Sequence, residues 1–150
     1  MEVSFYQVMK STPAAVDATL PSLLEKILAS GEKSIIRCPS TDRVSRLSEK
    51  LWNYKNEAFL PHSTAKDDMV LHQPIYLTNE DENANQANIL VLVSGAEWHG
   101  DIQEFSKVLH IFEANDNQKK LAREQWKKFQ QAECKLAYYA HEEGGWSKKQ

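Results

Sequence analysis

Asn88-Ile-Leu-Val-Leu-Val-Ser94 holds five consecutive apolar residues, Ile89 to Val93, between two polar ones. Side chains of a strand point alternately to its two faces, so a strand that is apolar at every position needs cover on both. The run therefore predicts a central strand with helices above and below. Upstream, residues 3–8 alternate apolar and polar and read as a first strand. Pro13 then precedes a helical stretch in which Leu20, Leu23, Leu24, Ile27 and Leu28 recur at three- and four-residue spacing, with Gly31 placed to cap its end. Residues 33–38 form a short β-branched run stopped by Pro39. Ser40 or Thr41 caps a second helix, with Val44, Leu47, Leu51 and Trp52 along one side.

Phe59-Leu-Pro-His62 closes that unit, after which the chain turns polar. Residues 66–73 read as a loop, 74–77 as a short strand and 79–88 as a second loop. Between residues 67 and 88 there are five acids and no Lys or Arg, so the stretch is expected to be solvated. Beyond the central run, residues 104–112 give a short helix or turn and then a strand around 108–112. Asp116 is expected to cap a last long helix over about residues 118–132, and 135–140 to form a final strand. Alternating strands and helices imply an α/β sandwich with a mostly parallel sheet. The whole chain, 1–150, reads as a single domain with a flexible tail over 141–150.

Composition narrows the function. Hydrophobic residues make up 41% of the 150, which excludes disordered, collagen-like and coiled-coil chains. A net charge of −3, from 18 Lys+Arg against 21 Asp+Glu, argues against a surface coated with positive charge for duplex DNA or anionic membrane. The apolar runs fall far short of the ~18 residues of a membrane span. Residues 1–6 lack the basic segment of a signal peptide. Cys38 and Cys134 have no CxxC spacing and read as reduced, mostly buried thiols, which places the chain in the cytoplasm.

Signals of chemistry are weak. Val8-Met-Lys-Ser-Thr-Pro13 stands where a dinucleotide fold would carry GxGxxG after its first strand. Gly31-Glu-Lys-Ser34 has Glu32 between glycine and lysine, and it joins helix to strand, the wrong order for a phosphate loop. His62, His72, His99, His110 and His141 lie in separate segments without HxxxH or HExxH spacing. Ser94-Gly95 follows a strand but lacks the G-x-S-x-G elbow. No catalytic residue, metal site or cofactor is expected. A small nucleotide-dependent or hydrolytic enzyme would need a cleft joining His62 or His110 to Cys38 or to a carboxylate.

The last helix says more. At roughly 100° per residue, Leu121, Ala122, Phe129 and Ala132 share an apolar face. Lys119, Arg123 and Lys127 make a basic stripe, with Lys120 beside it and Trp126 on the border. From Asp116 to Glu133 five bases face three acids, a net +2 within a chain of −3. Such a face is either a solvated surface with Trp126 as ordinary core, or a dock for an acidic peptide. In the dock, Arg123 clamps a carboxylate with its planar fork and Trp126 walls an apolar slot. Single-stranded nucleic acid is a third occupant, for which one tryptophan and a short stripe make a small footprint. Trp52, Tyr54 and Phe59 form a second aromatic group, suited to the core or, exposed together, to a protein partner.

With these residues in view, the sequence resembles the chi subunit of the bacterial replicative DNA polymerase III holoenzyme. The resemblance is carried by Phe5-Tyr6, Leu51-Trp52, Phe59-Leu-Pro-His62, Gln73-Pro74-Ile75, the central run, Asp116 to Lys127, and Glu143-Gly-Gly-Trp146-Ser-Lys-Lys149. It implies a Rossmann-like three-layer sandwich and a non-catalytic accessory subunit of a DNA-directed DNA polymerase (nucleotidyltransferase) complex. Such a subunit bridges the acidic C-terminal tail of single-stranded-DNA-binding protein and the psi subunit, which ties it to the clamp loader. DNA is then reached only indirectly. Carried over by position, the tail site falls on Lys119, Arg123, Trp126 and Lys127, with Phe112 as an apolar wall, and the psi-facing aromatics fall on Trp52 and Phe59. The acid-only stretch over 67–88 departs most from the family pattern.

Overall fold

The apolar run and its flanking helices build one sheet of eight strands, seen in a computed structural model that describes residues 1–52, 62–64, 73–142 and 145–150. In chain order the elements are β1 (Glu2–Gln7), α1 (Pro13–Ala29), β2 (Ser34–Arg37), α2 (Thr41–Trp52), β3 (Ser63–Thr64), β4 (Ile75–Thr78), β5 (Ile89–Val93), a 3-10 turn at Ile102–Glu104, β6 (Lys107–Phe112), α3 (Asp116–Gln131), β7 (Lys135–Glu142) and β8 (Gly145–Lys148). The strands lie in the order β3-β4-β2-β5-β6-β1-β7-β8. Every neighbouring pair is parallel except β7 with β8.

β5 lies inside the sheet, as its sequence requires. Ile89, Val91 and Val93 join the core under α1 and α2, while Leu90 and Leu92 join the opposite core, under α3. All five are buried. Phe5 of β1 is fully buried on the α3 side, and Tyr6 leans to the other face. Two apolar layers therefore sandwich the sheet, and the three-layer α/β architecture follows.

Several local details differ from the sequence reading. Val44, Leu47 and Leu51 of α2 are buried, but Trp52 is 59% exposed. Each helical residue advances roughly 100°, which carries Trp52 off the stripe that Leu51 ends. The cap of α3 is Asn115, whose Oδ1 accepts from the Gln118 N–H at 2.9 Å, leaving Asp116 in the first turn. There Asp116 complements the positive end of the helix dipole. Ala132 is exposed, because the helix stops at Gln131 and Glu133 turns the chain with φ +60.

Of the stretch over 67–88, residues 73–88 are described and are only partly solvated, while Asp67 and Asp68 lie outside the described residues. Glu80, Asp81 and Glu82 are exposed, but Asn85 is completely buried, its amide donating to Ser34 O and Gln73 O, each at 3.1 Å. Asp81 pairs with Arg37 at 3.0 Å. Burial works to raise its pKa, yet the hydrogen bond from Arg37 leads the opposing effects and the net shift is downward. Within 141–150, where the sequence suggests a flexible tail, the described residues supply the end of β7 and all of β8. Trp146 anchors them, edge-on to Tyr6 at 5.1 Å.

Candidate functional site

α3 lies on β6 and β7 through Ala122 and Phe129, both buried. Beneath it, Phe5 collects an aromatic cluster: His110 stacks on it at 4.5 Å, and Trp126 tilts against it at 5.4 Å. Trp126 also meets Tyr138 of β7 edge-on at 6.3 Å. These contacts hold the Trp126 ring half-buried at the seam between helix and sheet. Its outer side opens on a groove of about 240 Å³ lined by Ala122, Arg123, Trp126, Lys127, Gln130, Tyr138 and Gln150.

The groove has an aromatic floor and a cationic rim. Arg123 and Lys127 are exposed, and among the described residues neither they nor Lys119 is ion-paired. Tyr138 is hydrogen-bonded through its hydroxyl to the Gln7 side chain. Burial raises the Tyr138 pKa while the Arg123 charge pulls the other way, so the phenol stays neutral and Arg123 lies close enough to act on it. A planar guanidinium beside two ring faces can hold a carboxylate and an apolar side chain together. Lys119, one turn before Arg123, lies outside the groove lining. Phe112 is 3% exposed and sits edge-on to Tyr138 at 6.0 Å, behind the groove.

Thus Arg123, Trp126 and Lys127 meet in one groove, with Phe112 behind it and Lys119 along the stripe. Tyr138, Gln130 and Gln150 were not singled out from sequence. The alternation of Leu136 and Tyr138 along the predicted final strand carries a signal for Tyr138, since it puts both on the face that α3 covers. Gln150 carries none.

A second surface lies on the other face of the sheet, toward its other end. Trp52 tilts against His62 at 4.5 Å, and His62 Nε2 lies 3.2 Å from Ser48 Oγ. Beside Trp52 opens a groove of about 380 Å³ lined by Val44, Ser48, Thr64, Leu77 and their neighbours. Phe59 lies outside the described residues, as does Tyr54.

The carboxyl ends of parallel strands are where open α/β sheets usually take ligands. Here they hold an internal ion network. Arg43 at the start of α2 donates to Asp17 of α1 at 2.7 Å and to Ser94 Oγ at 2.8 Å. The Ser94 hydroxyl donates in turn to Glu113 at 2.6 Å, and the Gln118 amide of α3 reaches Ser94 O at 3.2 Å. Asp17, Arg43 and Glu113 are all buried. Burial pushes the neighbouring Cys38 thiol up to about 12 against the pull of Arg43, so it is protonated at neutral pH and a poor nucleophile. Cys38 packs on the α1/α2 face, whereas His110 packs on the α3 face, so the two do not meet.

Among the described residues no three His, Cys, Asp or Glu side chains group as metal ligands, and no helix is long and apolar enough to cross a membrane.

Over residues 1–137 the sequence matches the family described as DNA polymerase III chi subunit, HolC. It is 31% identical to the "Probable DNA polymerase III subunit chi" of Rickettsia prowazekii over 66% of this chain and 64% of that protein. The chain thus spans just under two thirds of that relative's length. It is 28% identical to "DNA polymerase III subunit chi" of Pseudomonas aeruginosa over 73% of this chain and 75% of that one. With the Escherichia coli protein of the same name the identity is 23%, over 79% and 81%.

Proposed function

The chain belongs to the DNA polymerase III chi subunit family, and from that premise we propose that it is a non-catalytic accessory subunit joining two replication proteins. One is single-stranded-DNA-binding protein, held by its acidic C-terminal tail. The other is the psi subunit, through which the chain attaches to the clamp loader. The observation that carries the proposal is the groove of Arg123, Trp126 and Lys127, cationic at its rim and aromatic at its floor.

The chemistry of the tail suits that groove. A terminal carboxylate pairs with the guanidinium fork of Arg123 in charge-assisted hydrogen bonds. A terminal aromatic side chain packs against Trp126 and Tyr138, where ring pairs gain beyond their buried area. Aspartates further along the tail face Lys119 and Lys127, which speed encounter more than they fix affinity. DNA is reached only through the protein that owns the tail. Psi is assigned to the surface around Trp52, whose exposed ring stands beside the larger groove. The two surfaces belong to opposite faces of the sheet and to its opposite ends, so both partners can be held at once.

The test is a titration with an acidic peptide ending in an aromatic residue, paired with a psi pull-down. Arg123→Ala should weaken peptide binding by about tenfold or more, since a charge-assisted hydrogen bond is lost, and added salt should weaken the parent. Trp52→Ala should lose psi and keep the peptide. An unchanged peptide affinity in Arg123→Ala would sink the assignment of the dock.

A further inference from the structure

The groove has two sides built in different ways. One is α3, which presents Arg123, Trp126, Lys127 and Gln130; the other is β7 with the strand that follows it. The family match ends at residue 137, so Tyr138 and Gln150, which line the second side, lie beyond it. β8 runs back along β7 with His141 opposite Trp146 and Tyr139 opposite Lys148. The pairing continues past β8: the Lys149 N–H donates to Tyr138 O at 2.7 Å, and the Tyr138 N–H donates to Gln150 O at 3.1 Å. Trp146 packs on Tyr6, and Lys149 Nζ lies 2.6 Å from Glu142. The return strand is thus pinned by a ring contact, an ion pair and main-chain bonds, and it brings Gln150 into the lining of the groove.

We infer that residues 145–150 form the second jaw of the peptide dock and that Gln150 is one of its specificity-determining residues. The inference rests on the acidic-peptide reading of the groove and adds a contact to it. A primary amide has two N–H donors and no charge. At the edge of a cationic groove these donors suit the carbonyl and carboxylate oxygens of an acidic peptide.

The experiment uses the full chain and a fluorescein-labelled acidic peptide with a free C-terminal aromatic residue, read by anisotropy at low and high salt. Gln150→Ala should weaken binding by about three- to tenfold, the range for one hydrogen bond. Gln150→Glu should weaken it further at low salt, and the gap between the two variants should close as salt rises. Deleting Lys149 and Gln150 should weaken binding at least as much as Gln150→Ala. Thermal unfolding of each variant checks that the fold is kept, and the two point variants lie at an exposed position. If the Gln150 variants and the deletion bind like the parent while Arg123→Ala does not, the jaw is overturned and the dock stands. If Arg123→Ala also binds like the parent, the dock fails and the jaw with it.

Discussion

Replacing Arg43 with methionine keeps an unbranched, flexible side chain but removes the guanidinium and its charge. The guanidinium is 2.7 Å from Asp17 and 2.8 Å from Ser94, and Ser94 passes a hydrogen bond to Glu113. Arg43, Asp17 and Glu113 have relative exposures of 8%, 6% and 3%, so water cannot take over the lost contacts. Removing one partner from such a buried pair costs about 3–5 kcal/mol, because the other charge stays buried and uncompensated. For a domain of this size that corresponds to a fall of about 10 °C or more in Tm.

The penalty should also depend on pH. Burial raises the Glu113 carboxyl above its ordinary 4.5, with the Ser94 hydrogen bond and Arg43 opposing the rise. Between the ordinary and the folded values the native state holds more protons than the unfolded one, so stability falls as pH rises through that window. Without Arg43 the folded value climbs and the window widens upward. The deficit of Arg43→Met, measured by urea unfolding, should therefore be larger at pH 8 than at pH 5. A deficit below about 1 kcal/mol, or one equal at the two pH values, would refute the buried-network account.

Two further expectations follow from the packing around α3. His110 is buried against Phe5 and Phe129, and burial pushes its pKa from 6.5 down to about 3. The unfolded state then binds the extra proton first, so the stability present above pH 6.5 is lost as pH falls toward the folded value. His110→Phe should hold up better on acidification, gaining about 3 kcal/mol on the parent between pH 7 and 4.5; an unchanged difference in urea midpoints would count against it. Gly95 has φ +80, and a Cβ there would stand 3.0 Å from both Gln118 Oε1 and Leu121 Cδ1. Gly31 has φ +81 but nothing within 4 Å of the same position. Thermal melts should show Gly95→Ala losing about 2 kcal/mol and Gly31→Ala about 1, and equal losses would show that the crowding at Gly95 is relieved freely.

The layers were legible because burial on two faces leaves a short continuous apolar run, here mostly β-branched and bounded by polar residues. Ile89 to Val93 cannot be solvated on either side, and α1 repeats its leucines at helical spacing. Arg123, Trp126 and Lys127 were legible for the same reason: one helix supplies all three, and its geometry is known in advance. What stayed hidden depends on segments far apart in sequence. Asp17, Arg43, Ser94, Glu113 and Gln118 come from five places, and each alone looks like an ordinary surface residue. Asn85 sits in an acid-rich loop yet is buried, because two carbonyls at the ends of other segments need its amide. β8 is four residues long with Trp146 its one large apolar side chain, so only its pairing with β7 identifies it. Trp52 shows the limit of periodicity itself: one residue past a stripe, the helix has already turned it outward.

The strand order has a mechanical side. Trp52 and Trp126 stand toward opposite ends of one sheet, so a pull applied between them runs across the strands, along the direction of their hydrogen bonds. Loaded that way, a ladder opens pair by pair, a weaker response than sliding all its bonds at once. α1 counters this. It leaves from β1 and returns to β2, with β5 and β6 between them, and its buried Val16, Leu20, Leu23 and Leu24 lie across that span. The helix is a strap over the middle of the sheet, and the Asp17–Arg43 bond ties the strap to α2. Tension between two partners would thus meet a braced plate, and its first yielding would fall in the ladders outside the strap.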